Sequence, residues 1–232
     1  MKWLKLIIIT GAVIIGLLLL GYLMLRSASC VDIDKERFPI SGIDISEHTG
    51  KVDFGRLNTQ GVSFVYIKAT EGTNYTDKRF QVNSERVKLS GLPYGFYHFI
   101  RFGKSGQVQA EYFLSRIARD PGKLPIVIDV EEWGNSSSKK SGSQVRAEVK
   151  SFIDIVTEQT GRELLIYTNL STYNSMIKGH FSNKIWICAF VDEPDEQINW
   201  QFWQHCHTGS LEGVDGDVDF NVFRGTRGDW RY

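Results

Sequence analysis

Two hydrophobic regimes divide the chain. From Leu6 to Leu25 the residues are almost uninterruptedly apolar, and Lys2 and Lys5 stand ahead of them. Beyond Ile40, apolar residues come in short runs separated by longer mixed segments. The first regime, roughly 20 residues at ~1.5 Å rise, is long enough to cover the ~30 Å hydrocarbon core of a bilayer. Basic residues in front of such a segment hold its N-terminus in the cytoplasm and send the rest outside. The expectation is a transmembrane helix over residues 1–25, a short polar stalk over 26–39 and one domain over 40–232. A signal peptide cleaved after Ser29 is one alternative, because Ser27 and Ser29 are spaced like a cleavage site, although such apolar regions are usually only ~7–15 residues long. A lipid-modified Cys30 is another, opposed by Arg26 and by the lack of a leucine three residues before it. All three readings place the domain periplasmic or extracellular, and the first makes the protein a single-pass one of the cell membrane.

The second regime contains eight runs rich in Val, Ile, Phe and Tyr: "ISGIDIS", "VSFVYIKAT", "LPYGFYHF", "LPIVIDVE", "ELLIYTN", "IWICAF", "QFWQHC" and "DVDFNVF". Gly, Pro or Asn bound them, as strands require. Helical patterns separate the first five. In "SGSQVRAEVKSFIDIVTEQTG", Val145, Val149, Phe152, Ile153 and Val156 recur at helical spacing, with Ser143 as N-cap and Gly161 as the stop. Alternating strands and helices predict parallel βα units, and eight strands suggest closure into a (β/α) barrel. The last three runs are separated by about a dozen residues or fewer, too short for full helical crossovers. The barrel is therefore expected to be irregular, with at least one late strand antiparallel. A doubly wound open sheet is the alternative, weakened by the lack of a Gly-rich phosphate loop after the first strand. Residues 134–143, "GNSSSKKSGS", form a polar loop, either a solvated connection or a mobile rim.

Charge narrows the chemistry. Basic and acidic residues number 27 each, so no net field favours nucleic acid. Three cysteines are too few for a disulfide framework, and Cys188 and Cys206 read as buried thiols. His205 and His207 flank Cys206, but on a strand they share one face while the cysteine points to the other, which disfavours a metal cluster. No metal and no cofactor are expected. No G-x-S-x-G elbow is present for a serine hydrolase.

Polar residues collect at the ends of the strands. The first ends with Asp44 and Ser46, the second with Lys68 and Glu71, and the third with Tyr97 and His98. The fourth ends with Asp129 and Glu131, the fifth with Tyr167 and Asn169, and the last carries Asp217 and Asp219. In a barrel these converge on the rim where such folds place their chemistry. Asp129 and Glu131 are two apart, so their side chains share a face, with Cα atoms about 6.6 Å apart at ~3.3 Å per residue. Two carboxylates at that range oppose each other's ionisation, leaving one protonated and one charged. Glycosidic cleavage needs such a pair. Glu132 faces the other way. Tyr97, Tyr167 and Trp186 lie near strand ends, either as core or as rings for the apolar faces of sugars.

Taken in order, "GIDISEHTGKVDF" (42–54), "YIKATEG" (66–72), "YGFYHF" (94–99), "IVIDVE" (126–131), "IYTN" (166–169), "WICAF" (186–190) and "GDVDFNVF" (216–223) resemble the glycoside hydrolase family 25 lysozymes. The resemblance covers nearly all of Ile40 to Arg224. It implies an irregular barrel of eight strands with about five helices. The activity implied is cleavage of the β-1,4 bond between N-acetylmuramic acid and N-acetylglucosamine in peptidoglycan. Glu131 would be the general acid/base, and Asp129 would orient a 2-acetamido group acting as nucleophile, with retention of configuration. Asp44 and Asp219, the latter in preference to Asp217, would complete the acidic site. Glu71, Tyr97, His98, Tyr167, Trp186 and Gln204 would line the substrate groove. Two departures, His205 after Gln204 and Phe190 at the end of the sixth strand, stand where the family often has tyrosine. The expected partners are peptidoglycan glycan strands and, through the N-terminal helix, the membrane, with the protein a monomer. A non-catalytic wall-binding module, or a hydrolase of chitin or another N-acetylglucosamine polymer, is the alternative.

Overall fold

The computed structural model describes residues 30–232 throughout and, ahead of them, residues 3, 10, 11, 13–18 and 21. Its strands are β1 (Ser41–Ile45), β2 (Phe64–Glu71), β3 (Tyr75–Thr76), β4 (Tyr94–Phe99), β5 (Ile126–Asp129), β6 (Leu164–Asn169), β7 (Ile185–Cys188), β8 (Trp200–Gly209) and β9 (Val218–Phe223). Eight of them form a ring in the order β1-β9-β8-β7-β6-β5-β4-β2, closed by parallel pairing of β1 with β2. The two-residue β3 is an antiparallel flap on β2. Strand β9 runs antiparallel to both neighbours, β1 and β8. Its short connection from β8 leaves no chain for a crossover, so it must enter the ring from the opposite end.

Within residues 30–232, five α-helical segments accompany the strands: α1 (Phe54–Leu57), α2 (Phe80–Ser90), α3 (Gly106–Ile117), α4 (Gly142–Thr160) and α5 (Leu170–Thr172). Ser141, rather than Ser143, caps α4. Its hydroxyl accepts from Gln144 N, and the Gln144 side chain returns to Ser141 N at 2.8 Å. Gly161 ends this helix in the left-handed conformation. Alternation along each strand sends one set of apolar residues outward and another inward. Ile43, Val65, Ile67, Ile126, Ile128 and Ile166 belong to the outer core, with Val87, Phe113, Phe152 and Val156 from the helices. Phe64, Tyr66, Val127, Leu165, Trp186, Phe202 and Phe223 form a separate cluster inside the ring. Gly95 makes room for it, since a Cβ there would lie 2.6 Å from the Tyr66 ring. Trp230 packs beneath, 5.4 Å from Phe64 and 5.2 Å from Phe223.

Several expectations change here. The transmembrane helix is not supported: among the described residues no helix is long and apolar enough to cross a membrane. Most of residues 6–25, where it was expected, lie outside the described residues. Residues 30–39 are not a free stalk. Phe38 is buried between Trp200 and Trp203, at 6.1 and 6.0 Å. Val31 N donates to His205 O at 2.8 Å, and His205 Nδ1 donates back to Val31 O at 2.8 Å. A Cys30–Cys206 disulfide locks this segment onto β8, so Cys206 is not a free thiol and Cys30 is not available for lipid attachment. Cys188 is free. The loop after β5 is pinned rather than loose at its start. Buried Asn135 donates to Ile100 O at 3.0 Å and to Glu131 O at 2.9 Å, and accepts from Phe102 N at 2.9 Å.

Candidate active site

The lumen changes character one inward position above its aromatic cluster. On β2 the inward series runs Phe64, Tyr66, Lys68, on β5 Val127, Asp129, and on β6 Leu165, Tyr167. On β8 it runs Phe202, Gln204. Because β9 is antiparallel, its series reads in reverse, Phe223, Asn221, Asp219, and its first residues reach the same rim. The result is a cavity of about 560 Å³ whose lining includes Asp44, Glu71, Tyr97, Asp129, Glu131, Tyr167, Trp186, Gln204 and Asp219. Nine of the ten residues expected from sequence therefore meet in one place.

His98 is the exception. Adjacent strand residues point to opposite faces, so His98 cannot accompany Tyr97 into the lumen. It lies fully buried outside the barrel wall, 4.8 Å from the stacked Phe152 ring. Its Nδ1 meets Thr70 Oγ1 at 2.7 Å and its Nε2 meets Gln109 Oε1 at 3.2 Å. Burial lowers its pKa to about 3, so it is a neutral core residue. Asp217 is exposed and outside the cavity lining, whereas Asp219 pairs in register with Asp44.

The floor beneath the acids is a hydrogen-bonded relay. Trp186 Nε1 donates to Asn221 Oδ1 at 2.8 Å, and Asn221 Nδ2 donates to Asp44 Oδ2 at 2.8 Å. Gln204 Nε2 donates to the same Asp44 oxygen at 3.3 Å, while Gln204 Oε1 accepts from Tyr167 at 2.6 Å. Trp186 is 1% exposed, with Tyr66 at 4.6 Å and Tyr167 at 4.9 Å. It serves as the base of the cavity rather than as an open platform. Burial, more than the charge of Asp44, pushes Asp219 up to about 9. Burial also raises Asp44 to about 7, against the lowering effect of hydrogen bonds from Asn221, Asp219 and Gln204. Burial raises both carboxyls and the charge of Asp44 raises Asp219 further, so the pair resists double ionisation.

Asp129 and Glu131 sit across the bowl. Burial and then the charge of Glu131 hold Asp129 well above the usual carboxylate range, and its Oδ1 is buried with no hydrogen-bond partner. Burial also raises Glu131, partly offset by Asn169, whose Nδ2 donates to Glu131 Oε1 at 2.9 Å. Asn169 is itself fixed, because its Oδ1 caps α5 by accepting from Thr172 N at 2.9 Å. Glu132 is exposed and accepts from Ser175 Oγ at 3.2 Å, outside the bowl. Glu71 binds Lys68 at 2.7 Å and also pairs with Arg101. Burial opposes its ionisation, but the two cations outweigh it and hold its pKa low.

Two asparagines hold the acids without lining the cavity. Asn221, which holds Asp44, follows Asp219 at the same-face interval, a signal present in "DVDFNVF". Asn169, at the rim end of its strand, holds Glu131 and is also a cap residue three before Thr172. Arg101, Tyr75, Glu47 and Trp133 line the cavity from loops and the flap, where alternation gives no guidance. Among the described residues, no group of three or more His, Cys, Asp or Glu side chains is arranged to hold a metal ion.

Residues 43–214 match the model of glycosyl hydrolases family 25. The chain belongs to this family. It is 36% identical over 201 residues to Lysozyme M1 of Streptomyces globisporus, covering 81% of this chain and 68% of the relative. It is 32% identical over 216 residues to the N,O-diacetylmuramidase of Arthroderma benhamiae, covering 86% and 88%. The solved structure of a family 25 glycosyl hydrolase from Bacillus anthracis superposes with a TM-score of 0.78 at 30% identity, covering 86% of this chain and 94% of that one. This family 25 chain is a glycoside hydrolase, and a bowl of carboxylates on an aromatic floor is the equipment such an enzyme uses.

Proposed function

We propose that the protein is a muramidase that hydrolyses the β-1,4 bond between N-acetylmuramic acid and N-acetylglucosamine in peptidoglycan, with retention of configuration. The observation that carries the mechanism is Asp129, buried beside Glu131 and left with an unpartnered carboxyl oxygen. An N-acetyl sugar supplies the missing partner, because its amide N–H donates to Asp129 and so turns its carbonyl oxygen toward the anomeric carbon. Glu131 gives its proton to the glycosidic oxygen as the C–O bond breaks, and the acetamido oxygen bonds to the anomeric carbon. Glu131, now a carboxylate, takes a proton from water as that water opens the cyclic intermediate, and the original configuration returns. Burial keeps Glu131 protonated to higher pH than an exposed glutamate, while Asn169 holds its carboxyl in one orientation.

Asp44 and Asp219 shape the opposite wall. Their resistance to double ionisation limits the negative charge facing Glu131, and the relay through Asn221 and Gln204 fixes the Asp44 carboxyl. Glu131→Gln keeps the amide contact with Asn169 possible but removes the proton. Release of reducing ends from purified cell walls should fall by about 10²–10⁴-fold with the fold intact, the range for losing a general acid. Full activity in that variant contradicts the role given to Glu131.

The placement outside the cytoplasm is part of the same proposal. It is supported by the Cys30–Cys206 disulfide, a bond that persists in oxidising compartments. Recovery of the protein from cells with this bond fully reduced would contradict it.

A further inference from the structure

Of the large apolar side chains that the described residues leave exposed, Trp133 alone lines the acidic cavity, and it is 77% exposed. Free surface placement of an indole is uncommon unless it has something to bind, since the ring carries the largest apolar area of any side chain. Its surroundings do not let it wander. The turn that bears it is tied by Asn135 to Glu131 O and Ile100 O, and Arg101 donates to Gly134 O. Trp133 meets the ring of Phe99 edge-on, with centroids 6.5 Å apart and planes at 88°. Phe99 is in turn fixed by Lys68 Nζ at 5.2 Å and Arg101 Cζ at 5.0 Å from its centroid. The turn thus places the indole at the rim, two residues beyond Glu131 and against Phe99, while Tyr66 and Trp186 in the cavity floor are buried.

We infer that Trp133 is a substrate-binding platform on which a pyranose ring of the glycan strand stacks, at a rim subsite outside the acidic bowl. Axial C–H groups on one face of a pyranose give it an apolar side that matches an exposed indole. A platform whose backbone turn is already tied loses less entropy on binding than one on a free loop. The Asn135 brace also couples the subsite to Glu131, since the same side chain holds the backbone of both residues' turn. This inference rests on the muramidase reading for the identity of the strand.

The test uses the full chain carrying Glu131→Gln, titrated calorimetrically with the soluble tetrasaccharide of alternating N-acetylglucosamine and N-acetylmuramic acid. Adding Trp133→Ala should weaken Kd about tenfold, while Trp133→Phe, which keeps a stacking face, should stay within about threefold. In the wild-type background Trp133→Ala should raise KM by a similar factor and change kcat by less than about twofold, because the ring touches no reacting atom. A Kd within about twofold of the parent in the alanine variant overturns the inference, as does a phenylalanine variant as weak as alanine. If the wild-type chain releases no reducing ends from peptidoglycan, the muramidase reading fails, and the titration still decides whether Trp133 binds glycan.

Discussion

The lower and upper halves of the barrel lumen are made by the same strands, often by residues only two positions apart. Tyr66 is followed inward by Lys68, Val127 by Asp129, Leu165 by Tyr167 and Phe202 by Gln204. Below that boundary the lumen is an aromatic plug, and above it is a bowl in which Asp44, Asp129, Glu131 and Asp219 have raised pKa values. The difference shows that the plug does more than fill space. It removes water from beneath the acids, and that desolvation is the largest cause of the upward shift in Asp44, Asp129, Glu131 and Asp219. Trp186 belongs to both halves, packing below with Tyr66 and reaching above through Asn221.

Breaking that joint should have the largest effect on stability. Trp186→Ala opens a cavity in the plug and orphans Asn221, so unfolding in urea should show a loss of about 3–5 kcal/mol. Activity should fall with it, because Asn221 no longer holds Asp44 in place. A variant that loses stability but keeps full kcat would show that the two halves are independent.

A second test acts on the upper half alone. Asp219 has a folded pKa raised to about 9, so the folded state binds its proton more tightly than the unfolded chain. Stability from this group is fully present below the unfolded pKa of about 4 and declines as pH rises toward about 9. Asp219→Asn should remove this decline, flattening the dependence of the thermal midpoint on pH over that window. A slope equal to that of the wild type would mean that the buried proton sits elsewhere.

The smallest expected effect lies at Asn169. Its amide favours the ionised form of Glu131, so Asn169→Ala should move the alkaline limb of the kcat profile to higher pH while lowering kcat severalfold. An unchanged profile would remove Asn169 from the site.

The same contrast explains what could be read from sequence. All eight ring strands stand out in the short apolar runs, and the short late connections suggest at least one antiparallel strand, which proves to be β9. The inward acids follow from two-residue spacing, which is a property of the strand itself. His98 stands at a strand end like the site residues, but parity sends it outward, since Tyr97 and His98 cannot both face inward. Trp133 and Arg101 lie in loops, where no period assigns a face. The Cys30–Cys206 bond joins residues 176 apart, and nothing local records that proximity. The described residues likewise give no support to the membrane helix that the apolar first segment suggested.

The most direct test of the bowl as a muramidase site is the identity of the sugar at each newly formed reducing end. Purified peptidoglycan digested with the full chain and analysed by mass spectrometry after borohydride reduction should yield fragments ending in reduced N-acetylmuramic acid. Fragments ending in reduced N-acetylglucosamine, or cleavage of chitin oligomers in place of peptidoglycan, would contradict the account.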